Sequence, residues 1–147
     1  MKRTYTRIAM AALVASAWMA NASADEFLVG AEIPLTGNLA RVGAGMQEGI
    51  MVAAEVFNKT NGKHTIKIIT VDDESAPAKA IAAVEKLASQ GVVAITGGYG
   101  SNNISPASDT ANKLSIVYIT SGGVDDSMVA SGRKNFFRIN NTKKKKK

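Results

Sequence analysis

Residues 27–38, Phe27-Leu28-Val29-Gly30-Ala31-Glu32-Ile33-Pro34-Leu35-Thr36-Gly37-Asn38, form an apolar run that stops abruptly in turn chemistry. A nearly continuous apolar segment suits a strand covered on both faces, and Pro-Leu-Thr-Gly-Asn then forbids its continuation. Downstream, Met46, Ile50, Ala53, Ala54 and Phe57 recur at helical spacing, predicting a helix over about 43–60. Asn61-Gly62 ends it with residues that tolerate left-handed backbone. Thr65 to Val71 then alternates and is rich in Ile, Thr and Val, as a second strand would be. Strand, helix, strand is the building unit of a parallel sheet.

The alternation continues along the chain. Pro77 sits in the first turn of a helix reaching about Gln90, with Ile81, Val84 and Ala88 on one face and Gly91 as the stop. Val92 to Thr96 predicts a short buried strand, and Gly97 to Asn103 a glycine-rich loop. Ser105 before Pro106 predicts an N-cap and a helix over about 106–113. A fourth strand is expected at Ser115 to Ile119, a loop at Thr120 to Asp126, a short helix, and a fifth strand at Asn135 to Ile139. The expected fold class is α/β: a mostly parallel, doubly wound sheet of about five strands with helices on both faces.

The chain has 147 residues, fitting one domain, and 46% hydrophobic residues, too many for a disordered polymer. Its 18 Lys+Arg exceed its 12 Asp+Glu, but Lys2, Arg3, Arg7 and Lys143 to Lys147 account for the whole excess. Positions 8–142 hold 10 basic and 12 acidic residues, a net charge of −2, so no nucleic-acid face is expected. With no cysteine, a disulfide scaffold, a Cys-ligated zinc, a thiol nucleophile and lipid attachment through Cys are excluded.

Both ends read as lying outside the fold. Residues 1–24 carry a basic start, an uncharged apolar stretch from Ile8 to Ala20, and Ala22-Ser23-Ala24, which together predict a signal peptide cleaved after Ala24. The stretch is shorter than the roughly 20 residues a spanning helix needs, so the expected location is the periplasm, peripheral to a membrane at most. The body is expected at 25–142. Lys143 to Lys147 is read as a solvated tail foreign to the fold, such as a frameshift product or an appended tag.

Ligands of open α/β sheets bind outside the carboxyl ends of the strands, near the point where strand order reverses. Three polar loops are expected there: Pro34 to Val42, Gly97 to Asn103 and Thr120 to Asp126. Glycines let backbone approach a solute, and Ser101, Thr120 and Ser121 offer hydroxyls. Gly43, Gly45 and Gly49 do not make a dinucleotide fingerprint, because three residues separate the last two and the glycines do not directly follow the strand. No cofactor is expected. His64 is the lone histidine and is read as inert; no serine has a second recognisable triad member, so no catalytic residues are assigned. Asp72-Asp73-Glu74 is read as a helix-dipole partner and solvated cap rather than a metal site.

In their order and spacing, Val29-Gly30, Pro34-Leu35-Thr36-Gly37, Ala40, Gly43, Gly49, Ala53, Phe57-Asn58, Asp72-Asp73, Ala80 through Lys86-Leu87, Gly97, Ser101, Pro106-Ala107-Ser108, Thr120-Ser121 and Phe137-Arg138 form a pattern. The chain resembles, over nearly all of 26–142, the N-terminal lobe of type I periplasmic solute-binding proteins of the branched-chain amino acid class. The resemblance implies a receptor for an ABC importer permease that takes an amino acid or similar small carboxylate. It implies Ser101 as the carboxylate holder, Leu39 and Val42 as a border of the side-chain pocket, and Thr120, Ser121, Gly123 and Val124 around the head group. Val124 stands where many relatives carry Thr, which removes one head-group hydroxyl. The family has two lobes, so the resemblance also implies an incomplete lobe that binds poorly alone. An exported α/β sensor or enzyme domain using the same sheet edge is the alternative.

Overall fold

The computed structural model describes residues 25–141. The expected signal peptide at 1–24 and the Lys143 to Lys147 tail lie outside the described residues. Five strands form one sheet: β1 Asp25–Ile33, β2 His64–Asp72, β3 Ala94–Tyr99, β4 Val117–Gly122 and β5 Phe136–Arg138. The helices are α1 Ala40–Asn61, α2 Pro77–Ser89, α3 Ser101–Lys113 and the four-residue α4 Ser127–Ala130. All pairings are parallel, in the order β2-β1-β3-β4-β5, as a doubly wound α/β sheet requires. The order reverses between β1 and β3. Right-handed crossovers leaving that point in opposite directions put α1 on one face and α2 with α3 on the other.

The two faces are closed to different degrees. Under α2 and α3, Val84, Leu87, Ile95, Ile104, Ala107, Tyr118, Met128 and Phe136 form a continuous buried core. Each large aliphatic side chain there contributes about 1.5–3 kcal/mol by leaving water. Arg133 seals its rim: the guanidinium lies 5.6 Å from the Phe136 ring centre, pairs with Asp109 and donates to the carbonyls of Met128 and Ser105. On the other face, the expected stripe of α1 is half-buried at Met46, Ile50, Ala54 and Phe57 but exposed at Ala53, and Gly43 is the helix's one buried residue. Ile119 and its register partner Phe137, with Ile139, remain exposed on that side. Among the described residues, no helix is long and apolar enough to cross a membrane.

β5 is shorter than expected, Phe136–Arg138 rather than Asn135 to Ile139, while β3 and β4 run past their expected ends. β3 was expected at Val92 to Thr96 and β4 at Ser115 to Ile119; both run three residues further, through Gly97, Gly98 and Tyr99 and through Thr120 to Gly122. The glycines are not loop residues. Gly97 pairs with Glu32 and Thr120 in the middle of the sheet, and Glu32's carbonyl oxygen occupies the place its Cβ would take. The expected Ser105 cap at Pro106 is also corrected. Gly100 bends the chain at φ 83°, its carbonyl accepts the N–H groups of Asn103 and Ile104 at 3.0 Å, and α3 begins at Ser101 with Pro106 inside it. Ser105 instead accepts Arg133 through its hydroxyl at 3.0 Å.

Candidate functional site

The loop leaving β1 is clamped by the turn leaving β2. Asp72 Oδ1 accepts the N–H of Leu35 at 2.8 Å, of Thr36 at 3.2 Å and of Glu74 at 2.8 Å, while Oδ2 accepts the Thr36 hydroxyl at 2.7 Å. Partial burial pushes this carboxyl up, but the Thr36 hydroxyl and the three N–H groups outweigh it and hold Asp72 below its ordinary value. Ser75 adds a second tie, donating to the Thr36 carbonyl at 2.6 Å and accepting the Leu39 N–H at 3.0 Å. The acidic turn is therefore not the expected helix-dipole partner: the first turn of α2 holds no acid, and Asp72 and Asp73 are spent on loop geometry. Gly43 lets α1 lie directly on the Pro34 carbonyl.

The β3 and β4 loops meet at Ser101. As the first residue of α3 it sits at a helix start, where backbone N–H groups lack intrahelical partners and attract a negative group. Its hydroxyl accepts the Asp125 N–H at 3.2 Å, joining the two loops. Arg138 fixes the second loop from behind, donating to the Asp125 carbonyl at 2.8 Å and the Asp126 carboxylate at 2.9 Å. Leu39 approaches from the β1 side: its Cδ1 lies 3.7 Å from where a Cβ on Gly100 would stand.

The expected residues thus separate. Leu39, Ser101 and the Gly123-Val124-Asp125 loop gather at one edge, with Gly123 buried against Met128 and Ile104 and Val124 exposed. Val42 lies in the first turn of α1, exposed. Thr120 is fully buried, its hydroxyl between the Gly98 carbonyl at 3.4 Å and the Gly122 N–H at 3.0 Å, so it braces the edge. Ser121 points to the opposite face and lines a groove of about 300 Å³ with Met46, Ile50, Thr96 and Ile139. A larger depression of about 740 Å³ lies between α1 and β2, lined by Glu26, Glu55, Lys59 and Lys67. It is open, of mixed charge and near the amino ends of β1 and β2, away from the carboxyl edge, so size does not make it the better site. His64 begins β2 at the far end of the sheet, edge-on to Phe27 at 5.5 Å.

Sequence reasoning missed a buried acid cluster beneath this edge. Glu32 Oε2 accepts the Tyr118 hydroxyl, and Asp73 is a hydrogen-bonding neighbour of the same carboxyl. Burial pushes Glu32 far up; Asp73 reinforces the shift and the Tyr118 hydroxyl opposes it. Burial and the neighbouring Glu32 likewise raise Tyr118. The available signal was a lone carboxylate inside an otherwise apolar strand.

Residues 27–146 match the family model described as periplasmic binding protein. Leu/Ile/Val-binding protein homolog 1 of Brucella abortus is 34% identical over 142 residues, covering 93% of this chain and 37% of that relative. An amino acid binding protein of Pseudomonas aeruginosa is 30% identical over 117 residues, covering 78% and 31%. Among solved structures, the branched-chain amino acid transporter substrate binding protein of Streptococcus pneumoniae, in complex with isoleucine, superposes with a TM-score of 0.75 at 22% identity, covering 80% of this chain and 34% of that one. A solute binding protein of R. palustris in complex with 4-hydroxybenzoate gives 0.70 at 24% identity, covering 80% and 32%. The chain thus spans about a third of the length of the relatives it matches. These relatives are binding proteins, and the structural likeness is one of fold. The chain belongs to the periplasmic binding protein family, and its described residues build a parallel α/β lobe of that architecture.

Proposed function

We propose that this lobe supplies one wall of the solute site of an extracytoplasmic receptor serving an ABC importer permease. The observation that carries the reading is the meeting of three loops at the carboxyl edge of β1, β3 and β4, with Ser101 at a helix start. The solute class is a small carboxylate with an apolar body, a branched-chain amino acid or a hydroxybenzoate. Its carboxylate takes the Ser101 hydroxyl and the backbone N–H groups that begin α3. Its body lies against Leu39, Val42 and Val124, which carry no charge and so favour an uncharged substituent. Thr120 and Arg138 hold the loops rather than touch the solute. With Val124 offering no hydroxyl, the head group depends on backbone groups of the 121–124 segment, which favours a hydroxybenzoate over an amino acid.

Amide resonances of the 147-residue chain, titrated with leucine and separately with 4-hydroxybenzoate, test this reading. The expected result is saturable movement of the Gly100, Ser101, Gly123 and Val124 amides, larger with the benzoate. Movement confined to the Met46–Ile139 groove, or none with either compound, overturns it. Export is part of the same proposal: periplasmic material should begin at Asp25 on N-terminal sequencing, and recovery only of uncleaved membrane-bound chain would defeat it.

A further inference from the structure

Beneath the solute edge lie three groups that the proposed binding does not use: Glu32 at the end of β1, Asp73 just after β2, and Tyr118 in β4. All three are fully buried. Glu32 Oε2 is satisfied by the Tyr118 hydroxyl, and Asp73 Oδ1 by the Ser75 N–H at 2.7 Å. Glu32 Oε1 and Asp73 Oδ2 are also buried and receive no N–H or O–H from any other group. Two acceptor-only oxygens on neighbouring carboxyls can satisfy each other in one way, through a proton between them. We propose that Glu32 and Asp73 share one proton, and that this proton is a pH-sensitive latch holding the carboxyl edge of the sheet together.

The latch reaches both halves of the edge. Through Asp73 it continues to Ser75, and from there to the Thr36 carbonyl and the Leu39 N–H. Through Tyr118 it abuts Gly98, where a Cβ would lie 3.0 Å from Glu32 Oε2, two residues before Gly100 and three before Ser101. The surrounding elements bring no compensating charge. β3 contributes Gly97 and Gly98, α3 contributes Ile104, and the core-facing side of α2 is Ala80, Val84 and Leu87. Asp72 turns its oxygens to Leu35, Thr36 and Glu74, Lys79 pairs with Glu74 at the surface, and Arg133 pairs with Asp109 at the core's rim. The charges acting on Glu32 and Tyr118 come from within the cluster alone. A second negative charge there would be buried without a counter-ion, which low-dielectric surroundings penalise heavily.

The sign follows from linkage. Glu32 binds its proton more tightly in the folded chain than in the unfolded one. Its contribution to stability is therefore complete below the unfolded carboxyl value and is lost as pH rises through the higher folded value. The proposal does not depend on which solute the edge binds. The test compares the whole chain with Glu32→Gln, whose amide can donate to Asp73 and accept from Tyr118 but cannot titrate. Between about pH 5 and pH 8 the wild-type thermal midpoint should fall relative to that of the variant, with the gap widening by about 5 °C. Parallel midpoint curves overturn the latch. Should Glu32→Gln fail to fold, carboxyl carbon resonances of the wild-type chain decide the matter. Glu32 should titrate well above the ordinary carboxyl range, and the Gly98 and Ser101 amides should move with the Glu32 midpoint. Titration of Glu32 within the ordinary carboxyl range, or Gly98 and Ser101 amides indifferent to it, overturns the proposal.

Discussion

Gly97→Ala is expected to cost about 3–5 kcal/mol of folding stability, a large part of the 5–15 kcal/mol typical of a domain. Two penalties coincide at this position. Its φ of +111° is one that side-chain-bearing residues rarely adopt, and the new Cβ would press into the Glu32 carbonyl, with the carbonyl carbon 3.2 Å away. Neither partner can withdraw, because Glu32 and Gly97 are register neighbours in the centre of a parallel sheet. The matched control is Gly45→Ala. Gly45 lies in the body of α1 with no heavy atom within 4 Å of a built Cβ, so alanine there should add about 0.5–1 kcal/mol. Urea denaturation of the three proteins checks both signs at once. A Gly97→Ala midpoint equal to wild type would mean that β1 and β3 are spaced differently from the arrangement described.

The same glycine explains where the amino-acid sequence was legible and where it was not. The succession of elements and the class could be read because parallel strands covered on both faces need apolar runs such as 27–33 and 92–96, and because Met46, Ile50 and Phe57 keep helical period. The ends of β3 and β4 were placed short because Gly97, Gly98 and Thr120 look like loop residues by composition. What puts them in the sheet is a close backbone approach, visible only when the neighbouring strand is in place. Ser105-Pro106 misled for a related reason. Proline is common at a helix's first turn, but here Pro106 lies inside a helix whose start at Ser101 is set by the left-handed bend at Gly100, at the cost of one backbone bond. Thr120 and Ser121 were taken together although a strand sends consecutive side chains to opposite faces: one became a buried brace, the other the lining of a different groove. Glu32 was the cluster's one local signal, a carboxylate in an apolar strand; its partners could not be read, since 86 residues separate Tyr118 from the glutamate it touches.

The solute edge carries the second large effect, an affinity difference. In this chain the edge is open: Val42 is 37% and Val124 43% exposed, and the recessed grooves lie elsewhere. Water therefore competes for every donor, and a carboxylate there gains about 0.5–1.5 kcal/mol per hydrogen bond rather than the roughly 1.5–3 of a shielded, charge-assisted one. Two or three such bonds barely offset the cost of immobilising a solute, about 4 kcal/mol or more, so binding should be no tighter than about 1 mM. Covering the edge should change this. In a chimera joining this lobe to the part of the Brucella abortus relative that lies beyond the 37% it matches, the same donors become shielded. Affinity should rise by about a thousandfold, and Ser101→Ala should then weaken it about tenfold or more, a loss of about 1.4 kcal/mol or greater. In the open chain the same substitution should shift affinity by less than about threefold, because solvent replaces the lost hydroxyl. Calorimetry on the chimera and resonance titration on the chain measure the two limits. Micromolar binding by the chain alone would show that its edge is already enclosed in solution. A chimera indifferent to Ser101→Ala would leave the helix-start N–H groups, not the hydroxyl, as the carboxylate's partners.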